Sequence, residues 1–155
     1  MITIKDNDSF ILIGLPAAGK STMADFLKEK GVYVVSTDKI RKELTGSYED
    51  QSKNQEVFEI AHARFGEAIR DKIPVVFDAT SLNRRSRKAL VDIARKNGAN
   101  KIQYIWINTS LKECLARNAQ RERHVPEEVI LRMWEHMEPP TKGEGADSLI
   151  TINEE

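Results

Sequence analysis

Gly14-Leu15-Pro16-Ala17-Ala18-Gly19-Lys20-Ser21-Thr22 decides how the rest of the chain is read. Two glycines enclose four residues, and Lys and Ser follow the second glycine, the spacing of a phosphate-binding loop. Phe10-Ile11-Leu12-Ile13, just before it, is a short apolar run of buried-strand type. Residues 21–30, just after it, read as a helix stopped by Gly31. Strand, loop and helix in that order bring backbone N–H groups and a helix N-terminus onto one anion. Gly14, Ala17, Ala18, Gly19, Lys20, Ser21 and Thr22 are therefore the expected contacts to ATP or GTP. Lys20 would reach the β- and γ-phosphates, and the Ser21 hydroxyl would take a place on Mg²⁺. The plain alternative is an ordinary Gly/Pro turn joining a strand to a helix.

Outward from the loop, strands and helices alternate. Residues 32–36 form a second strand rich in β-branched side chains, and a short helix over 38–44 stops at Gly46. A longer helix over 52–72 has an apolar face of Val57, Phe58, Ala61, Phe65, Ala68 and Ile69. Residues 74–78 make a third strand, apolar throughout and so covered on both sides. A helix over 83–97, a strand over 101–108 and a helix over 111–119 follow. Pro126 can open another helix to 137, Pro139-Pro140 breaks it, and 148–152 can be a fifth strand. Tyr104 and Trp106 belong to the core of such a fold rather than to a base-stacking platform. The pattern predicts an α/β domain: a parallel sheet of about five strands, helices on both faces, and ligands at the strands' C-terminal ends. That places residues 14–21, 36–41 and 78–80 in one cleft.

A chain of 155 residues suggests one domain with a core of its own. One cysteine, Cys114, allows no internal disulfide, and its apolar setting suits a small buried residue. Met1-Ile2-Thr3-Ile4-Lys5-Asp6 has no signal-peptide pattern, and no apolar run reaches membrane length, which predicts a cytoplasmic protein with no membrane partner. A formal charge of zero argues against a general nucleic-acid coat protein. Charge is nevertheless segregated. Arg84, Arg85, Arg87, Lys88, Arg95, Lys96 and Lys101 face Asp92 alone, while eight carboxylates from Glu127 onward face Arg132 and Lys142. Solvated helix faces and a phosphate-rich partner both fit that pattern.

Phosphoryl transfer needs aligned phosphates, offset charge and an oriented acceptor oxygen. Asp38, just past the second strand, is placed to accept a hydroxyl proton, although an acid there can also cap a helix. Arg41, one turn on, can fork onto a substrate phosphate or form a surface ion pair. Asp78 closes the third strand, where nucleotide enzymes keep a carboxylate on the Mg²⁺ side. Thr80 and Ser81 face the substrate or cap the helix that follows. Arg117 and Arg121, four residues apart on one helical face, could bring guanidinium charge over the γ-phosphate as a lid, or form a solvated turn with Arg123. His62, His124 and His136 show no partner in the sequence.

These residues together resemble the polynucleotide 5′-hydroxyl kinase branch of the P-loop kinases, as in the bacteriophage polynucleotide kinase and bacterial RNA-repair kinase modules. The likeness runs from Phe10 to Pro140. It rests on the phosphate loop, Ser36-Thr37-Asp38-Lys39-Ile40-Arg41, Val76-Phe77-Asp78-Ala79-Thr80, and the stretch from Arg117 to Val125-Pro126. The resemblance implies an adenylate-kinase-like P-loop NTPase fold with an arginine-bearing lid. It implies Asp38 as general base, Arg41 on the phosphate next to the acceptor nucleotide, and Lys20 with Ser21 or Thr22 on Mg-ATP. Arg121 would be the lid arginine, and the partner a 5′-hydroxyl end of RNA or DNA. Ala17 stands where the family often has Gly, and Ser81 where Asn often follows Asp-Ala-Thr. A small-molecule kinase and a nucleotide-hydrolysing switch are the rival classes.

Overall fold

The structure is a computed structural model and describes residues 3–154. Met1 and Ile2, part of the chain start read above for a signal peptide, lie outside the described residues, as does Glu155. In chain order the elements are β1 (Asp8–Ile13), α1 (Lys20–Glu29), β2 (Tyr33–Ser36), α2 (Thr37–Thr45), α3 (Asn54–Arg70) and β3 (Val75–Asp78). Then come α4 (Arg84–Lys96), β4 (Lys101–Thr109), α5 (Leu111–Gln120), α6 (Glu127–His136), a 3-10 turn (Lys142–Glu144) and β5 (Ser148–Glu154). All five strands are parallel, in the order β2-β3-β1-β4-β5.

The period-2 geometry of a strand explains why the apolar runs are continuous. Ile11 and Ile13 face a core shared with Ile40 of α2, Phe65 of α3 and Leu90 of α4. Phe10 and Leu12 face the opposite core, with Ala24 and Leu27 of α1 and Cys114 of α5. Tyr104 is fully buried and Trp106 packs against the first core, as expected of core aromatics. Strand β1 begins two residues before its apolar run. Asp8 and Ser9 are buried there because their side chains are hydrogen-bonded: Asp8 accepts from the Lys5 and Asn100 nitrogens, and Ser9 donates to the Lys101 carbonyl.

Two expectations are corrected. Phe58, assigned to the apolar face of α3, is 39% exposed. The buried face of α3 runs through Val57, Ala61 and Phe65, and Phe58 stands at its margin with its ring against His62. Arg87, counted in the basic stretch, is fully buried. Its Nε and Nη2 meet both Glu144 oxygens at 2.8 and 3.1 Å, while Nη1 and Nη2 donate to the Ser81 and Glu138 carbonyls. Glu144 also accepts from Tyr104 Oη and the Thr141 N–H, so the 3-10 turn is held to the underside of the loop that follows β3. Exposed Arg95 pairs with Asp147, and Lys88 with Asp92. The basic segment thus finds much of its counter-charge inside the chain, chiefly in the acidic C-terminal segment. Among the described residues, no helix is long and apolar enough to cross a membrane.

Candidate active site

The parallel sheet brings three strand ends to one edge. The Gly14 N–H donates to the Thr80 carbonyl at 3.1 Å, joining the phosphate loop to the end of β3. In register, Ser36 sits opposite Asp78, which brings Asp38, two residues on, near enough for its charge to act on the Asp78 carboxyl. The loop itself is tightly built. A Cβ on Gly14 would lie 3.0 Å from the Ile107 carbonyl oxygen, and Gly19, capping α1, has φ of +113°. Only a residue without a side chain meets both demands at low cost. Lys20 Nζ donates to the Gly14 and Leu15 carbonyls at 3.0 and 2.8 Å, folded along the loop it would serve. Burial pulls its ammonium below the usual range, against the pull of Asp78 and Asp38. Burial also pushes the Asp78 carboxyl up, with Lys20 opposing. Ser21 and Thr22, in the first turn of α1, are exposed.

The capping alternative for Asp38 falls away. Ser36 is the N-cap of α2, its hydroxyl accepting from the Lys39 N–H at 3.2 Å, so Asp38 is released from that duty. One Asp38 oxygen takes Arg41 Nη1 at 2.9 Å and the other takes Arg123 Nη2 at 3.4 Å. Arg41 is buried, not a surface pair. Its Nε and Nη2 both donate to Asn54 Oδ1 at 3.1 and 2.9 Å. Of its five guanidinium N–H groups, three are engaged by these two partners. Buried Arg41 therefore ties the Asp38 carboxylate to Asn54 at the start of α3. Likewise Asn83, not Thr80 or Ser81, caps α4, accepting from the Ser86 N–H at 2.8 Å.

On the donor side, Arg117 Nη1 donates to the Ala18 carbonyl at 3.2 Å while its Nε pairs with Glu113. Arg117 thus braces the loop from behind. The segment from 121 to 126 between α5 and α6 carries Arg121 and Arg123. Asn118 spans it, donating to the Val125 carbonyl at 2.7 Å and accepting the Val125 N–H at 2.9 Å. Nothing local in the sequence marked Asn118. Arg121 Nε is buried with no hydrogen-bond partner, and burial, with Arg123 beside it, lowers its pKa. Its Nη2 donates to Asn118 Oδ1 at 3.3 Å, and its charge reaches Lys20, whose pKa it helps to lower. Arg123 also stacks 4.5 Å over the Tyr48 ring, linking the lid to the loop between α2 and α3. The two departures noted in the sequence have a backbone meaning: Ala17 and Ser81 are both left-handed, with φ of 65° and 48°. Gly and Asn are the residues most at home there.

Sheet order, loop and lid define a P-loop domain of the kinase fold. The chain belongs to the AAA domain family, whose model matches residues 10–140. It is 31% identical over 139 residues to the L-seryl-tRNA(Sec) kinase of Methanococcus maripaludis, 84% of this chain and 52% of that protein. It is 31% identical to a dephospho-CoA kinase of Legionella pneumophila, over 72% of this chain and 46% of the relative. The chain therefore spans about half the length of these curated relatives. Among solved structures, a chain of the Pnkp1/Rnl/Hen1 RNA repair complex superposes with a TM-score of 0.71 at 20% identity, covering 84% of this chain and 44% of that one. A gluconokinase from Sinorhizobium meliloti 1021 superposes with a TM-score of 0.63 at 18% identity, covering 97% and 84%.

Proposed function

We propose that this chain is an ATP-dependent kinase that phosphorylates a 5′-hydroxyl end of RNA or DNA. The observation that carries the reading is Asp38: a carboxylate relieved of capping, oriented by buried Arg41, and near enough to Lys20 and Asp78 for its charge to act on both. Lys20, Arg121 and the α1 N-terminus would hold the phosphates, and Ser21 a Mg²⁺ ion. Bound there, Mg²⁺ would offset phosphate charge. Asp38 takes the hydroxyl proton as the acceptor oxygen bonds to the γ-phosphorus and the bond to the ADP oxygen breaks. Arg41 keeps Asp38 aimed and offers its remaining N–H groups to the phosphate of the acceptor nucleotide. The likeness to an L-seryl-tRNA(Sec) kinase and to a chain of an RNA repair complex supports a nucleic-acid acceptor.

A second reading, a small-molecule hydroxyl kinase, is favoured by the ion pairs of Arg87, Lys88 and Arg95 within the chain, which remove cations from any track for a polymer. One experiment separates the two. Transfer from labelled ATP is measured to a 5′-hydroxyl oligonucleotide, a nucleoside 3′-monophosphate, an unphosphorylated nucleoside and gluconate. Wild type should use the nucleotides, Asp38→Asn should lose roughly a hundred-fold with ATP still bound, and Arg41→Ala should lose most with phosphorylated acceptors. Transfer to gluconate alone would sink the polynucleotide reading, and hydrolysis without transfer would leave only a nucleotide switch.

A further inference from the structure

Beyond Asp78 the sheet edge opens into a cavity of about 330 Å³. Phe77, Ala79 and Thr80 line it, the residues on either side of Asp78 in sequence. Phe58 and His62 of α3 form one wall, and Met133 and His136 of α6 another. None of this follows from core packing, since Phe58 stays 39% exposed at the rim. The rings are organised. His62 lies edge-on to Phe58 with centroids 6.2 Å apart, and 5.8 Å from Phe77.

The chemistry of the lining narrows what can enter. No Lys, Arg, Asp or Glu lines the cavity. Burial lowers the pKa of His62, so its ring is neutral at pH 7. The N-terminus of α4 borders the space and would ordinarily attract an anion. Two of its amides are already occupied: Ser86 N–H by Asn83 Oδ1 at 2.8 Å, and Arg84 N–H by Glu138 Oε1 at 3.2 Å. A phosphate, sulfate or carboxylate entering here would leave water without meeting a Lys or Arg side chain. A flat, neutral ring would instead stack on aromatic faces and meet the Thr80 and Ser86 hydroxyls.

We infer that this cavity is the subsite for the base of the nucleoside that bears the acceptor hydroxyl. The inference rests on the kinase reading above and deepens it, giving the acceptor a neutral aromatic ring whose phosphate stays outside, toward Arg41. Volume agrees, because 330 Å³ lies at the small end of ligand pockets. Phe58 and Ala89 then set acceptor specificity without touching ATP.

The test has a binding arm and a turnover arm. In the first, 5′-deoxyadenosine, which lacks the reacting hydroxyl, is added to the full chain, and saturation-transfer NMR reads contact to its base protons. Wild type should show strong transfer to the base. Phe58→Ala and Ala89→Leu, the second filling the space from α4, should remove it. In the second arm, both variants should raise KM for adenosine 3′-monophosphate by about tenfold or more, the loss of one stacked base, with KM for ATP unchanged. Unaltered acceptor KM in both folded variants, or absence of base contact in wild type, overturns the subsite. If the base contact is present and sensitive to the variants but no nucleoside is phosphorylated, the kinase reading and the acceptor role both fail, and the cavity stands only as a nucleoside-base site.

Discussion

Replacing Glu144 by Ala probes the buried centre that ties the C-terminal segment to the loop after β3. Arg87 is wholly buried and Glu144 is 10% exposed, so neither can turn to water. The substitution strands a guanidinium and also deprives Tyr104 Oη and the Thr141 N–H of an acceptor. Breaking one side of such a pair costs about 3–5 kcal/mol, against a total stability of roughly 5–15 kcal/mol for an ordinary domain. At about 2–4 °C per kcal/mol for a chain of this size, Tm should fall by roughly 6–20 °C. Urea unfolding followed by circular dichroism measures it, with Arg87→Met and the double variant completing a cycle. In the Arg87→Met background the cost of Glu144→Ala should shrink to about 1 kcal/mol, because no buried charge is left unpaired. Acidity supplies an independent check. Burial alone would raise the Glu144 carboxyl, but the Arg87 and Thr141 hydrogen bonds outweigh it and hold it below its ordinary 4.5. A depressed carboxylate stabilises above its unfolded value and loses that contribution as pH falls through the folded one. The gap between wild type and Glu144→Ala should therefore be full at pH 7 and close below pH 4.5. A cost under about 1 kcal/mol, typical of exposed pairs, or an equal cost in the Arg87→Met background, refutes the reasoning.

Two further outcomes are expected. Asn118→Ala removes the amide that spans the lid, about 1–3 kcal/mol of local hydrogen bonding, so trypsin should cut after Arg121 and Arg123 several-fold faster while the sheet's amides keep their exchange protection; an unchanged cutting rate would mean the lid is held elsewhere. Asp78→Asn should raise Tm at pH 7, since burial raises the folded carboxyl and the ionised form is the disfavoured one. That gain should vanish as pH falls past the ordinary value of 3.8, where both states are protonated.

Much of the architecture was legible because it is written locally. Gly14 to Ser21 has a fixed spacing, the strands are apolar runs, and Gly46 and Gly98 stand in left-handed conformations just past the helices they end. The positions of Asp38 and Asp78 were legible for the same reason: Asp78 closes β3, and Asp38 stands two residues past β2 in the first turn of α2. What escaped depends on distant partners. The Arg87–Glu144 pair joins residues 57 apart, and Arg123 reaches Asp38 across 85. No periodicity marks either, and composition alone left Arg87 on a solvated face or toward a phosphate-rich partner. Phe58 was misread for a different reason: helical period fixes a direction around α3 but not whether a strand lies under that turn.

The ion pairs along α4 have a consequence for how a nucleic acid would be held. Arg84, Arg87, Lys88 and Arg95 each lie within 4 Å of a carboxylate of the same chain. Binding to a polyanion draws its salt dependence from the counterions that protein cations displace, about one per neutralised phosphate. A helix whose cations are mostly paired within the chain displaces few. Its grip on an RNA or DNA end would change little with added salt, and would fall on the terminal nucleotides rather than on the length of the strand.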